Sequence, residues 1–201
     1  MSDFQNLKEQ AAVPGMGRWE KGILGLFYLL LAGVKLGYCL RFRVDSDEPQ
    51  HLHVVWAWTQ GLVQYRDVFD NHTPLFHLLM APVLNAFGER GDILLYMRLA
   101  VVPFYAGSLA CLFAIVRSVS SARVAAWSTL VIGFWPVFML TSTEFRTDAL
   151  WMLAWFAAVA VGCGGSLTWK RWAAVGLLVG LCFGASMKTS LLLTSFIMAA
   201  V

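Results

Sequence analysis

Residues 22–40 run for nineteen positions with a single charge, Lys35. An α-helix rises about 1.5 Å per residue, so about 20 apolar residues match the roughly 30 Å hydrocarbon core of a bilayer. Comparable runs follow at 99–116, 124–141, 149–169 and 172–187. A sixth, TSLLLTSFIMAAV, begins after Lys188 and reaches the last residue in thirteen positions. The pattern predicts an all-α membrane protein, a polytopic transmembrane helix bundle. Its third span is expected to kink at Pro136. Its fifth is rich in Gly and Ala, which permit close helix contact. Lys35 is expected to snorkel outward along its own stem. The unanchored final run reads as the front part of a longer membrane protein, truncated at the C-terminus.

Composition agrees. Hydrophobic residues make up 59% of the chain and charged residues 13%, against a usual charged share of about 25%. The mean hydropathy is +0.66. A net charge of +3 without a basic tract gives no footprint for nucleic acid. Cys39, Cys111, Cys163 and Cys182 lie in apolar segments without CxxC or Cys/His spacing, which reads as buried thiols rather than disulfides or a zinc site. Residues 1–21 are polar or mixed, and Arg41-Phe42-Arg43 follows the first run in place of a small-residue cleavage site. The first run is therefore a retained helix, not a signal peptide.

Basic residues in short loops set orientation. Lys8, Arg18 and Lys21, then Arg117 and Arg123, then Lys170 and Arg171 fall on one side if residues 1–21 are a cytoplasmic tail to a transmembrane region 22–201. The other side holds residues 41–91, the turn at 143–148, and Lys188. The 41–91 loop carries four basic and six acidic residues, as suits an outward face.

That loop is predicted to be a structured cap with juxtamembrane amphipathic helices. Pro49 suits a first helical turn, with Asp47 or Glu48 before it as cap. Leu52, Val55, Trp56, Thr59, Leu62 and Val63 recur at helical spacing, with His51, His53 and Gln60 off that face. Gly61 ends the helix, and LFHLLMAPVLNAFG forms a second. Between them the polar residues crowd at 66–72.

Asp45, Asp47 and Glu48 place three carboxylates in four positions at the membrane boundary. A lone Asp at a helix start is usually a cap. Three together repel one another unless a cation, metal or basic group shares the site. Asp70 and His72 form a candidate metal pair, though a loop histidine is more often merely solvated. Glu144, Arg146, Asp148 and Lys188 belong to the same predicted face, and ionisable residues at membrane depth are costly and usually functional. Carboxylates with an Arg and a Lys suit a hydroxyl and a phosphate; a local Arg146 salt bridge to Glu144 or Asp148 is the simpler alternative.

The order of these features resembles the GT-C class of integral-membrane glycosyltransferases. It has one span, then D-x-D-E, then G-x-x-x-Y-R-D at 61–67, then F-D-N-H-T-P-L, with FRTDAL at 145–150. The likeness is to the branch of protein O-mannosyltransferases, aminoarabinose transferases of lipid A and RgtA/B/C/D-like enzymes. The resemblance implies transfer of a sugar from a polyprenyl-phosphate carrier on the periplasmic or lumenal side. The acceptor would be a glycan, lipid or protein hydroxyl. It implies Asp47 as general base, with Glu48 orienting the acceptor or ligating a divalent metal beside Asp70 and His72. Asp45, Arg66, Asp67, His72, Arg146, Asp148 and Lys188 would bind substrate or its phosphate. The aminoarabinose branch often has Lys before the proline; here His72-Thr73-Pro74 stands there, and Lys188 is the replacement cation. Members usually have about twice as many spans as this chain. Motif style and low cysteine use point to a bacterial inner membrane. The rival readings are a transporter or flippase of a lipid-linked substrate, which would favour polar groups near the bilayer midplane, and a non-catalytic membrane scaffold, which would need no carboxylate cluster.

Overall fold

The computed structural model describes residues 15–166 and 168–200. Most of the predicted tail, with Lys8, lies outside the described residues. Among the described residues there are nine helices and no strand, only an isolated bridge between Gln64 and Val68. The helices are α1 (Arg18–Arg41), α2 (Asp47–Thr59), α3 (Leu75–Phe87), α4 (Ile93–Val119), α5 (Ala122–Phe134), α6 (Pro136–Thr141), α7 (Thr147–Cys163), α8 (Trp169–Ala185) and α9 (Lys188–Ala200). Two of them, α1 and α4, are long and apolar enough to cross a membrane. The helices α3, α5, α7 and most of α9 are apolar but shorter.

The third predicted run is broken rather than kinked. Trp135 adopts an extended conformation (φ −61°, ψ 122°) and Pro136 opens α6 as its first residue. A proline ring disfavours the helical region for the residue before it, which ends α5 at Phe134. Helices α7 and α8 have seventeen residues each, a length of about 25 Å at 1.5 Å per residue.

Two apolar cores hold the helices together. One joins α1, α4, α5 and α6 through Leu24, Leu31, Tyr105, Leu130 and Met139. The other joins α2, α3, α4 and α7 through Val55, Phe76, Met80, Leu84, Met97, Val101 and Ala149. The 41–91 segment is thus packed structure, as its helical periodicity predicts. Large apolar side chains also face outward on α1 and α8; Leu29 is 73% exposed and Leu177 68%.

Lys35 does not snorkel. It is 2% exposed, and its Nζ donates to Met139 O at 3.2 Å, Ser142 Oγ at 2.8 Å and Thr143 Oγ1 at 2.9 Å, with the Tyr105 ring 4.2 Å away. A buried ammonium needs such partners. The end of α6 supplies them, so the lysine ties α1 to α6 instead of reaching for water.

Helix α2 ends as its sequence indicates. Gly61 takes φ +75°, Gly61 N–H donates to Trp58 O at 3.2 Å and Leu62 N–H to Ala57 O at 3.0 Å. This is the paired closure that a left-handed glycine permits. The start differs. Ser46 holds the cap position without a side-chain cap, and Asp45 Oδ1 accepts from Asp47 N–H at 3.1 Å. The buried face also differs. Glu48, His51, Val54, Val55 and Ala57 point inward, so the predicted apolar face is rotated toward His51.

Candidate functional site

Glu48 is the most enclosed of the three adjacent carboxylates, at 0% exposure. Its Oε1 accepts from Arg98 Nε at 2.7 Å and from Phe145 N–H at 2.8 Å. Its Oε2 accepts from Asp45 N–H at 3.0 Å and from Arg98 Nη2. Arg98, on α4, also donates to the carbonyls of Phe42 at 2.9 Å and Arg43 at 2.8 Å. The Arg98–Glu48 pair therefore fixes the exit of α1, the start of α2 and the residue before Arg146. Two oxygens and four donors leave Glu48 no lone pair for a substrate or an ion. The expectation that Glu48 is catalytic or a metal ligand is corrected on this ground: it is a sealed structural ion pair.

The neighbouring carboxylates are open. Arg146 stands at the N-cap position of α7. Its Nη2 lies 2.8 Å from Asp47 Oδ2, and its Nη1 lies 3.3 Å from Glu144 Oε2 and 3.6 Å from Asp45 Oδ1. Its Nε lies 3.5 Å from Asp148 Oδ2, but that buried N–H has no hydrogen-bond partner. Lys188 Nζ, first residue of α9 and half exposed, reaches Asp148 Oδ1 at 2.5 Å. Three chain segments thus meet at one point: 45–47, 144–148 and 188. Each stands at a helix start. A cation at the start of α9 is unfavourable to the helix dipole, and Asp148 offsets it. Burial first, then Asp45, pushes the Glu144 carboxyl above its ordinary value, against the pull of Arg146.

Asp47 Oδ2 is taken by Arg146, while Oδ1 has only the exposed Ser46 hydroxyl at 3.5 Å. Its side chain is 39% exposed. It is the carboxylate of the group with most free capacity to accept a proton from a hydroxyl.

Arg66 and Asp67 are not drawn into this cluster by any hydrogen bond or ion pair among the described residues. Arg66 pairs with Asp67 at 2.7 Å, and Asp67 Oδ2 accepts from Val63 N–H at 2.9 Å. They clasp the turn after α2. His72 and Asp70 do meet, with Nδ1 2.9 Å from Oδ1, but Glu48 is committed elsewhere. The predicted metal set of Glu48, Asp70 and His72 is not assembled. Instead Asp70 lies with two histidines that the sequence reading passed over, His51 and His77, one ligand atom from each within 4.8 Å of the others. All three are buried. Burial first, then the neighbouring His72, pushes His51 down to about 4. Burial likewise lowers His77. Burial opposes the charge on Asp70, yet hydrogen bonds from Gln50 and His72 outweigh it and hold the carboxyl below its usual value. All four histidines of the chain fall between 51 and 77, and that crowding was the available signal.

Comparison with protein-family models, with curated proteins and with solved structures finds no match for this chain.

Proposed function

We propose that the chain is a multi-pass integral-membrane glycosyltransferase region of GT-C type, moving a sugar from a polyprenyl-phosphate carrier to an acceptor hydroxyl. The observation that carries the reading is the convergence of Asp45, Asp47, Glu144, Arg146, Asp148 and Lys188 at the helix starts. Support for the membrane part comes from the two span-length helices and from the apolar side chains turned outward on α1 and α8. The shorter helices complete the bundle in this reading, with the cluster on the outer, periplasmic face of a bacterial inner membrane.

In the proposed reaction the polyprenyl tail lies in lipid against the bundle. The carrier phosphate is met by Lys188 at the rim, beside the Arg146 guanidinium. Asp47 Oδ1 takes the proton of the acceptor hydroxyl as its oxygen bonds to the anomeric carbon. The bond from that carbon to the phosphate oxygen breaks, and the electron pair leaves with polyprenyl phosphate. A single displacement inverts the anomeric configuration. General-base help of this kind contributes roughly 10²–10⁴-fold in rate.

One observation favours a second reading. Four carboxylates surround Arg146 and Lys188, so the cluster is net negative and suits a cationic or amine-bearing ligand. A transporter or flippase of such a substrate would use the same residues without bond cleavage. Steady-state kinetics with a panel of polyprenyl-phosphate sugars separate the two. The transferase reading expects Asp47→Asn to lower kcat by roughly 10²-fold or more and Lys188→Ala to raise the donor KM. Wild-type turnover in Asp47→Asn removes Asp47 from the role.

A further inference from the structure

We infer that His51, Asp70 and His77 form a binding site for a divalent first-row transition metal of the zinc type, which staples α2 to α3 and to the loop between them. The inference stands on geometry alone and does not depend on the transferase reading.

The proton positions lead to it. Gln64 Nε2 donates to His72 O at 2.6 Å, which turns Gln64 Oε1 toward His77 Nδ1 at 3.1 Å. An amide oxygen only accepts, so His77 Nδ1 carries the proton and the neutral ring presents Nε2 as a lone pair. That lone pair faces His51 Nδ1 at 3.0 Å. His51 Nε2 is buried and has no hydrogen-bond partner. If the His51 proton is on Nδ1, a bare lone pair is buried at Nε2. If it is on Nε2, two lone pairs face each other and a donor is buried unmet. Neither tautomer of the metal-free pair satisfies all its nitrogens. A cation between the rings takes both facing lone pairs and removes their clash; the His51 proton then sits on Nε2, still without a partner.

Asp70 gives an independent argument. Its carboxylate is fully buried, yet no Lys or Arg pairs with it among the described residues. Its partners are the Gln50 amide, the His72 N–H and the His72 ring. Buried charges are normally paired or coordinate a metal.

The donor set of two imidazoles and one carboxylate selects the ion class. It suits zinc and its first-row neighbours rather than magnesium or calcium, which prefer all-oxygen shells. Zinc–nitrogen bonds of 2.0–2.1 Å in a tetrahedron put two ligand nitrogens about 3.3 Å apart, close to the 3.0 Å found. Gln64 holds the outer nitrogen of His77, as metal-bound histidines require, while the outer nitrogen of His51 has no partner. His72 lies edge-on to His51 with ring centres 4.7 Å apart, its Nδ1 engaged with Asp70 Oδ1. The metal would join the second turn of α2 and the first turn of α3 to residue 70, and so would hold the helix whose start carries Asp47.

The test uses the full chain, purified in detergent with a tag free of histidine. Elemental analysis should find about one equivalent of zinc or a neighbouring metal. After stripping with a chelator, Co²⁺ should restore a visible ligand-field spectrum, and the melting temperature should fall by several degrees on stripping and recover with Zn²⁺. His51→Asn and His77→Gln keep amide hydrogen-bonding groups in place; each should lose the stoichiometric metal and the thermal response while keeping its helical circular dichroism. Should either variant fail to fold, the wild-type cobalt spectrum and melting response decide. Folded wild-type chain without bound metal and without a response to Zn²⁺, Co²⁺, Fe²⁺ or Mn²⁺ overturns the inference, as does metal retained in both folded variants.

Discussion

Asp47 and Glu48 are adjacent in the chain and face opposite fates. Glu48 turns inward to Arg98, and Asp47 turns to Arg146 at the surface. Breaking a buried pair by removing one partner costs about 3–5 kcal/mol, because the other charge is left bare. Glu48→Ala is therefore expected to destabilise the chain on that scale. Asp47→Asn removes an ion pair open to water and is expected to cost about 1 kcal/mol or less. Thermal unfolding of the two variants side by side checks this; equal losses would contradict the division of labour. The Glu48 pairing was not legible beforehand, since its partner lies fifty residues on in α4. The meeting of Asp45, Asp47, Arg146, Asp148 and Lys188 was expected from the order of the apolar runs, because helices that alternate in direction bring alternate loops to one end. Glu144 adds a prediction in pH. Its folded value is raised, chiefly by burial and then by Asp45. Its contribution to stability is complete below the ordinary value of 4.5 and is lost as pH rises through the raised folded value. Glu144→Gln cannot ionise. The melting temperature of the variant relative to wild type should rise between pH 4 and pH 7, and a gap that stays constant or moves the other way would contradict the sign.

At the scale of the element, α2 shows why periodicity alone misjudged a face. Leu52, Val55 and Trp56 gave an apolar stripe, but the neighbours of the first two turns of α2 include Arg98, Asp70 and His77, which are polar. Helix α2 accordingly buries Glu48 and His51 there. Lys35 misled in the same way: its partners on residues 139–143 belong to a helix end that the apolar run at 124–141 concealed. The glycines of α8 also divide. A Cβ on Gly184 would come within 3.2 Å of Leu75 Cβ, whereas one on Gly180 would meet nothing within 4 Å. Only the first holds α8 against α3. Gly184→Val should force the two helices apart and cost about 1–3 kcal/mol, while Gly180→Val stays within about 0.5 kcal/mol of wild type. Chemical unfolding reads both, and comparable losses would remove the close approach as the reason.

For the whole molecule, the helical class and the packed 41–91 cap were readable from apolar run length and spacing. The breaks were less so, because Pro136 acts on the residue before it and hydropathy does not register that. The proposed orientation puts Phe69 and Lys170 on opposite sides of the membrane. Phe69 is 84% exposed. On a Cys163→Ala background, Phe69→Cys should react with an impermeant maleimide in intact cells, and Lys170→Cys only after permeabilisation; the reverse pattern would invert the proposed topology. The proposed chemistry is read by release of free polyprenyl phosphate from a labelled polyprenyl-phosphate sugar by the purified protein with acceptor present. Wild type should release it and give a product with an inverted anomeric centre, and Asp47→Asn should lose both while its melting temperature falls by no more than a few degrees. Substrate movement across proteoliposomes with the sugar–phosphate bond intact, for every donor tried, would contradict it.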